Sequence, residues 1–254
     1  MIKRMLKEIK NLFSFLTIIP VSMDQDILTD TAKYMLLFPL IGAFIGLLAG
    51  LFGWVASYFL PSLVVGALVL GFLLLITGLH HTDGLLDFGD GLMAHGSPER
   101  KIEIMHDQLT GAGGLSLGIM TFLITAFSIV ELGDGVIIQG LVVVEVAAKL
   151  SMVVGAWAGR AVHEGMSSSF LEAMHGTKGA IRLIVALAIS FGIAFPLLHL
   201  AGVVTVLAAI LTSLILVGVS HMHFKGVTGD VLGATNELTR MISLITLLAI
   251  IRWG

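Results

Sequence analysis

The segment VIIQGLVVVEVAAKLSMVVGAWA, residues 136–158, decides the fold, because Glu145 and Lys149 are its only charged side chains. As a helix it is long enough to cross the hydrocarbon core of a bilayer, which takes about 20 residues. The whole chain has this character: 57% of its 254 residues are hydrophobic, 12% are charged, and its mean hydropathy is +1.02. Soluble domains usually carry about 25% charged residues. The sequence therefore predicts an integral membrane protein, and its lack of cysteine excludes disulfides and thiolate metal sites.

Six further apolar segments resemble this one in length and composition. The seven predicted membrane-spanning helices are 34–59, 62–79, 115–132, 136–158, 180–198, 202–219 and 237–253. The very short connections, which pair successive helices as antiparallel hairpins, are 60–62, 133–135 and 199–202. The long polar connections are 80–114, 159–179 and 220–236. The predicted fold is an all-α polytopic membrane helical bundle that forms a single transmembrane domain over residues 1–254.

The lysines and arginines indicate how the bundle is oriented. Twelve of the fourteen lie in the N-terminal segment, in the long connections or at helix ends beside them: Lys3, Arg4, Lys7, Lys10, Lys33, Arg100, Lys101, Arg160, Lys178, Arg182, Lys225 and Arg240. The positive-inside rule places these connections in the cytoplasm and the C-terminus outside. We expect a multi-pass protein of the cell membrane whose active site faces the cytoplasm.

Residues 1–20, MIKRMLKEIKNLFSFLTIIP, combine apolar residues at helical spacing with a basic opposite face. That pattern is typical of an amphipathic helix that lies on a membrane surface. We expect it to anchor the chain on the cytoplasmic leaflet, with gating of the substrate as the alternative role.

The first long connection contains six acidic side chains, three of them at helical spacing. If the second span continues as a helix into this connection, Asp83, Asp87 and Asp90 lie on one face. Because such carboxylates repel each other, a cation should lie among them, and oxygen ligands favour Mg²⁺ or Mn²⁺. Asp107 is placed to close this site from the next helix. The alternative is that these acids are solvated loop residues.

Two glycine-rich strings open helices on the same side of the membrane, LTGAGG at 109–114 and KGVTGDVLGAT at 225–235. Backbone N–H groups at a helix start favour phosphate, and close helix packing is the alternative explanation. Packing is the preferred explanation for the small residues of the first span, Gly42, Gly46 and Gly50.

Several cations and histidines are candidates for the same chemistry. Arg100 is a candidate phosphate ligand, because its guanidinium suits a phosphate better than an ammonium does. Lys149 either holds a substrate phosphate or neutralises Glu145 within the bilayer. His81 and His106 are candidate proton acceptors or phosphate partners. Zinc or nickel binding by the histidines is less favoured, because the chain has no HExxH motif.

Together these features favour an integral membrane enzyme that acts on a phosphorylated substrate with Mg²⁺ as its cofactor. An ion transporter is the alternative, but its acids should lie near the bilayer midplane on broken helices. Here the acids cluster at one membrane boundary, and a purely structural scaffold would have no reason to gather them there. Small molecules and the lipid bilayer are the expected partners, nucleic acid is not, and a homo-oligomer is left open.

The motifs HTDGLLDFGDGL (81–92) and RKIEIMHDQLTGAGG (100–114) resemble the cobalamin synthase family, the adenosylcobinamide-GDP ribazoletransferases. FLTIIPV near the start, EGMSS after the fourth span and GVTGDVLGATNE before the last extend the resemblance over nearly the whole chain. The matching motif positions are His81, Asp83, Asp87, Asp90, Asp107, Gly111, Gly114, Gly229, Asp230 and Glu237. Three positions depart from the family pattern of serine, arginine and an acid, namely Gln108, Lys149 and Arg240.

The resemblance implies a transferase that joins adenosylcobinamide-GDP to α-ribazole or its 5′-phosphate, giving adenosylcobalamin or its phosphate and GMP. It implies Mg²⁺ on Asp83, Asp87 and Asp90, with Asp107 or His81 accepting the proton of the attacking hydroxyl. The residues assigned to substrate binding are Arg100, Gly111, Gly114, Lys149, Gly229, Asp230 and Glu237. The CDP-alcohol phosphotransferases are the alternative family, but DGLLDFGDG lacks the Ala-Arg that follows their first Asp-Gly.

Overall fold

A computed structural model of the chain describes residues 10–19, 32–162 and 166–253. These residues form helices and turns, with one isolated β-bridge between Ala161 and Val227. The helices, preceded by a short 3₁₀ helix at Met35–Leu37, are α1 (Phe38–Ser57), α2 (Ser62–Ile76), α3 (His80–Met93), α4 (Pro98–Met105), α5 (Ala112–Ala158), α6 (Met166–Met174), α7 (Gly176–Phe224) and α8 (Gly229–Trp253). The chain is a multi-pass membrane protein, as its composition predicts.

Helices α5 and α7 contain 47 and 49 residues, about 70 Å at 1.5 Å per residue and more than twice the thickness of a bilayer core. Each is broken in the middle. Gly133 interrupts α5 with φ of 63°, and Leu198 and His199 interrupt α7. Both breaks fall at predicted short connections, so each long helix consists of two of the predicted spans.

By length and composition, the described chain has four helices able to cross a membrane, or five if α2 and α3 are counted as one span. Once α5 and α7 are divided at their breaks, every predicted span coincides with a helical segment. The long connections are more helical than predicted: α3 and α4 lie within 80–114, α6 lies within 159–179, and only residues 225–228 separate α7 from α8. Helices α7 and α8 continue beyond their apolar parts into the predicted connections 159–179 and 220–236, whose place between membrane spans stays a prediction.

The second half of α5 is the centre of the bundle. From Gly140 to Ala156 every residue is buried, so this segment is surrounded on all faces, and it contacts α1, α7 and α8. Helix α1 approaches it closely: a Cβ placed on Gly46 would lie 2.7 Å from the Cα of Val142, and one on Gly50 the same distance from the Cα of Ile138. The predicted packing role of the small residues in the first span is confirmed.

The described part of the predicted N-terminal helix, residues 10–16, is helical. Leu12 and Leu16 are fully buried against the bundle, and the ring of Phe15 stacks on that of Phe170 in α6 at 4.9 Å between centroids. The apolar face of this helix therefore packs on protein. Residues 1–9 of the predicted segment lie outside the described residues.

Helix α3 turns away from α2 by 96°. Gly78 and Leu79 both have left-handed backbone angles, with φ of 65° and 61°, and they form the corner. The straight continuation of the second span into this region is therefore wrong, although the helical spacing over 80–93 is correct. The 96° bend and the polar composition of α3, with three aspartates and two histidines in 14 residues, favour a position for α3 at the membrane boundary.

The close contact between α1 and α5 predicts that a larger side chain at this interface destabilises the protein. Replacing Gly46 with leucine forces the backbones apart, and we expect the free energy of unfolding to fall by about 1–3 kcal/mol or more. The control is Gly71→Ala in α2, because no atom lies within 4 Å of a Cβ placed there. Thermal unfolding in detergent should show a lower midpoint for Gly46→Leu alone, and equal midpoints would contradict the close approach.

Candidate active site

The carboxylates of α3 form a gradient of burial along one helical face. Asp83 is exposed, Asp87 is half-buried and Asp90 is buried. The first turn of α8 crosses α3 at Gly84, where a Cβ would lie 2.8 Å from the backbone oxygen of Asp230. Asp230 therefore comes to the same place as the α3 acids, from a helix more than 130 residues later in the sequence.

The electrostatics of Asp87 show how closely these groups converge. Burial, and after it the negative charges of Asp83, Asp230 and Asp90 in that order, together raise the pKa of Asp87 to about 7. Such crowding of like charges is relieved by a cation, and carboxylate oxygens suit a hard divalent ion. Within the described residues, however, no three Asp, Glu or His side chains have the arrangement of a preformed metal site. The charge fits a divalent cation, and the side chains would have to reorient to bind it.

The carboxylate of Asp90 is bonded to the start of α5. Its Oδ2 accepts the N–H of Gly111 at 2.6 Å, and its Oδ1 accepts the N–H of Gly114 at 2.8 Å. These are two of the N–H groups that the glycine-rich string 109–114 would offer to a phosphate. In this structure a carboxylate of the protein occupies them.

His106 and Asp107 follow α4 and lie at the edge of the carboxylate cluster. The Nε2 of His106 lies 4.0 Å from the Oδ2 of Asp230. Asp107 is exposed, and its Oδ1 accepts the N–H of Leu109 at 3.3 Å, so it forms a local turn. The histidine is thus the member of this pair that lies beside Asp230 of α8, and the role of Asp107 as proton acceptor stays a prediction.

His81 lies at the other end of α3, against α8 at Gly233. It is buried, and its Nδ1 has no hydrogen-bond partner among the described residues. Burial lowers the pKa of His81 well below its usual value, and the positive charges of Lys149 and Arg240 lower it further. The lowered pKa favours the neutral imidazole and makes it a weaker base, and its Nδ1 is left for a hydrogen bond.

A network of buried charges connects α5 to α8 behind the cluster. The guanidinium of Arg240 donates to Glu145 of α5 and to Glu237 of α8. Lys149 donates to the Oδ1 of Asn236 at 2.6 Å and lies 3.9 Å from Glu145. All of these side chains are essentially inaccessible to solvent, with exposures of 0–1%.

This network shows the structural role of Lys149 and Glu237. Lys149 lies in the bundle interior beside Glu145 and Asn236, and Asn236 directly follows the glycine-rich string 225–235. Two of the three departures from the family pattern, Lys149 and Arg240, share Glu145 as a partner. Their roles in substrate binding stay predictions, as does that of Glu237.

The remaining candidates lie on the surface around the cluster. Arg100 is exposed on α4 and pairs with Glu103 at 2.9 Å, and Gly229 begins α8. Sequence analysis missed Asn236, and it missed Lys101, which donates to the Nδ1 of His223 at 2.9 Å and ties α4 to the end of α7. The sequence feature that could have identified Asn236 is its position next to Glu237, at the start of an apolar span.

The buried network predicts that substitution of Arg240 lowers the free energy of unfolding much more than substitution of Arg100. Arg240→Gln leaves Glu145 and Glu237 buried without their cation, and we expect the free energy of unfolding to fall by about 3–5 kcal/mol. Arg100→Gln, the control, removes only an exposed pair and should cost less than about 1 kcal/mol. Thermal unfolding in detergent measures both, and similar midpoints for the two variants would contradict the network.

The raised pKa of Asp87 predicts a pH dependence for the metal-free protein. The folded state holds a proton on Asp87 up to about pH 7, whereas the unfolded state releases it near pH 3.8, the ordinary pKa of an aspartate. This group therefore favours folding less as pH rises from 4 to 7. In EDTA, Asp87→Asn should raise the unfolding temperature more at pH 8 than at pH 5, whereas Asp134→Asn, across the membrane, should not. An Asp87→Asn effect that is constant with pH would contradict the raised pKa.

Comparison with known proteins agrees with these features. The cobalamin-5-phosphate synthase family model matches residues 8–248. An adenosylcobinamide-GDP ribazoletransferase of Methanococcoides burtonii is 33% identical over 94% of this chain and 90% of its own length, and one of Methanosarcina mazei matches to the same extent. One of Methanocella arvoryzae is 34% identical over 94% of both chains. No solved structure matches. The chain belongs to the cobalamin-5-phosphate synthase family.

Proposed function

We propose that the protein is a magnesium-dependent transferase that joins adenosylcobinamide-GDP to α-ribazole or its 5′-phosphate and releases GMP. The family match and the names of the relatives support the reaction. The observation that carries the proposal is the convergence of Asp83, Asp87 and Asp230 at one end of the bundle, where burial and, after it, the charges of the neighbouring acids raise the pKa of Asp87 to about 7. The positive-inside rule supports a cytoplasmic location for this end, in the cell membrane.

The residues proposed to hold the metal ion are Asp83 and Asp87, with Asp230 beside them from α8. Bound there, Mg²⁺ would supply positive charge to the diphosphate of the substrate and to the departing phosphate. Asp90, the third predicted ligand, adds negative charge to the same region, although its oxygens already accept two backbone N–H groups.

In the proposed reaction the hydroxyl of α-ribazole attacks the phosphorus next to the aminopropanol arm, and the bond from that phosphorus to GMP breaks. The hydroxyl proton passes to a base of the protein. Asp107 and His81 are the predicted bases, and His81 has a neutral ring with an unpartnered Nδ1. His106, 4.0 Å from Asp230, is a further candidate that lies beside the carboxylates.

The rest of the site would bind and align the phosphates. Since the N–H groups of Gly111 and Gly114 are bonded to Asp90, the string 225–235 at the start of α8 is the better placed of the two for a phosphate. Arg100 is exposed on α4, where its guanidinium would be accessible to a phosphate of the substrate. Alignment of the attacking and leaving groups, together with charge stabilisation, is most of what this chemistry requires.

Purified protein in liposomes tests the proposal directly. With adenosylcobinamide-GDP, α-ribazole and Mg²⁺ it should release GMP, and EDTA should stop the reaction. Asp83→Asn and Asp87→Asn should each lower kcat by about 100-fold or more, because charge stabilisation is lost at the reacting phosphate. Asp134→Asn is the matched control and should keep the wild-type rate. The proposal fails if no divalent ion supports GMP release, or if the Asp83 and Asp87 variants stay near the wild-type rate.

A further inference from the structure

The last acid of the α3 series differs from the first two in its surroundings. Asp90 is only 9% exposed, whereas Asp83 is exposed and Asp87 half-buried. Both of its oxygens accept backbone N–H groups, of Gly111 and Gly114, at distances typical of strong hydrogen bonds to a carboxylate. Asp90 therefore already has specific partners in the protein.

Helix α5 has no cap of its own. Its N-cap residue is Gly111, which has no side chain, and the first turn carries no acidic residue. The first N–H groups of a helix need an acceptor, which a Ser, Thr, Asp or Asn at the N-cap usually supplies. Here the acceptor comes from α3, 21 residues earlier in the chain.

The glycines of this region make room for that contact. A Cβ on Gly111 would lie 2.5 Å from the Oδ1 of Asp90, and a Cβ on Gly114 would lie 2.8 Å from its Oδ2. A Cβ on Gly89 would lie 2.8 Å from the Cα of Gly114, so the backbones of α3 and α5 touch. The glycines of LTGAGG are accounted for by this packing.

The electrostatics of a helix start oppose a cation at the same oxygens. The N-terminus of a helix carries roughly half a positive charge, which attracts a carboxylate and repels a metal ion. A dication on Asp90 would face the N–H groups of Gly111 and Gly114 directly. Asp83 and Asp87 are the more accessible pair, and within the described residues the backbone N–H groups of Gly111 and Gly114 are bonded to Asp90 instead.

We infer that Asp90 is a positioning residue rather than a metal ligand: it caps α5 from α3 and so fixes the face of α3 that carries Asp83 and Asp87. The cap itself depends only on the fold. Its consequence for metal binding rests on the proposed function, which assigns the ion to Asp83 and Asp87.

Two substitutions, alone and combined, distinguish a helix-capping role of Asp90 from a metal-binding role. Asp90→Ala leaves the start of α5 without an acceptor, and Gly111→Ser alone collides with Asp90; both should lower the unfolding temperature in detergent. Combined, they should restore it, because serine at 111 supplies a local cap and the obstructing carboxylate is gone. Gly111 has φ of −86° and ψ of 178°, which serine adopts freely.

Metal binding and turnover are measured on the same variants. By Mn²⁺ titration, the double variant should bind within about threefold of the wild type, whereas Asp87→Asn should lose about tenfold or more. GMP release should recover in the double variant relative to Asp90→Ala. If Asp90→Ala does not fold, Asp90→Asn, which keeps one acceptor oxygen, takes its place in the metal titration.

The outcomes that overturn the inference are specific. A double variant no more stable than Asp90→Ala shows that Asp90 is not the cap. A loss of Mn²⁺ affinity in the Asp90 variants equal to that of Asp87→Asn shows that Asp90 is a ligand. If the wild type releases no GMP but stability is rescued, the proposed function fails and the cap stands.

Discussion

A single buried guanidinium fixes the geometry on which the site depends. Arg240 of α8 bonds Glu145 in the centre of the bundle and Glu237 on its own helix, and none of the three is accessible to solvent. In such surroundings an unpaired charge is very costly, so α8 has little freedom to slide or rotate against α5. Asp230 lies ten residues before Arg240, about 15 Å along the helix, and its place beside α3 follows from this anchorage.

Close backbone contacts fix the positions of the neighbouring helices relative to α8 and α5. Glycine occurs where α3 meets α8, at Gly84, and where α3 meets the start of α5, at Gly89 and Gly114. Close approach of backbones leaves few alternative arrangements, because no flexible side chain lies between them to adjust. Helix α3 is therefore held between two neighbours, with Asp83 and Asp87 on the part of its surface that stays open.

The parts of the structure that follow from hydrophobic patterning were predictable. The spans, the breaks at Gly133 and at Leu198–His199, and the glycine face of α1 all follow from apolar length, short connections and small-residue spacing. The 96° corner before α3 was not predicted, because Gly78 and Leu79 closely follow the apolar run of α2 and the left-handed angle of Leu79 is rare for a residue other than glycine. The pairing of Asp90 with Gly111 and of Glu145 with Arg240 joins residues 21 and 95 positions apart. Only the fold shows those partners.

The docking of residues 10–16 constrains the order in which the protein is assembled during translation. Phe15 stacks on Phe170, so residues 10–16 cannot reach this partner until more than 150 further residues have been made. Just after this segment, the N–H of Ile18 donates to the carbonyl of Ile76 at the end of α2. Before α6 has been synthesised, the amphipathic pattern of this segment allows it to bind at the membrane surface. Its packing against α6 must then come late in the assembly of the protein.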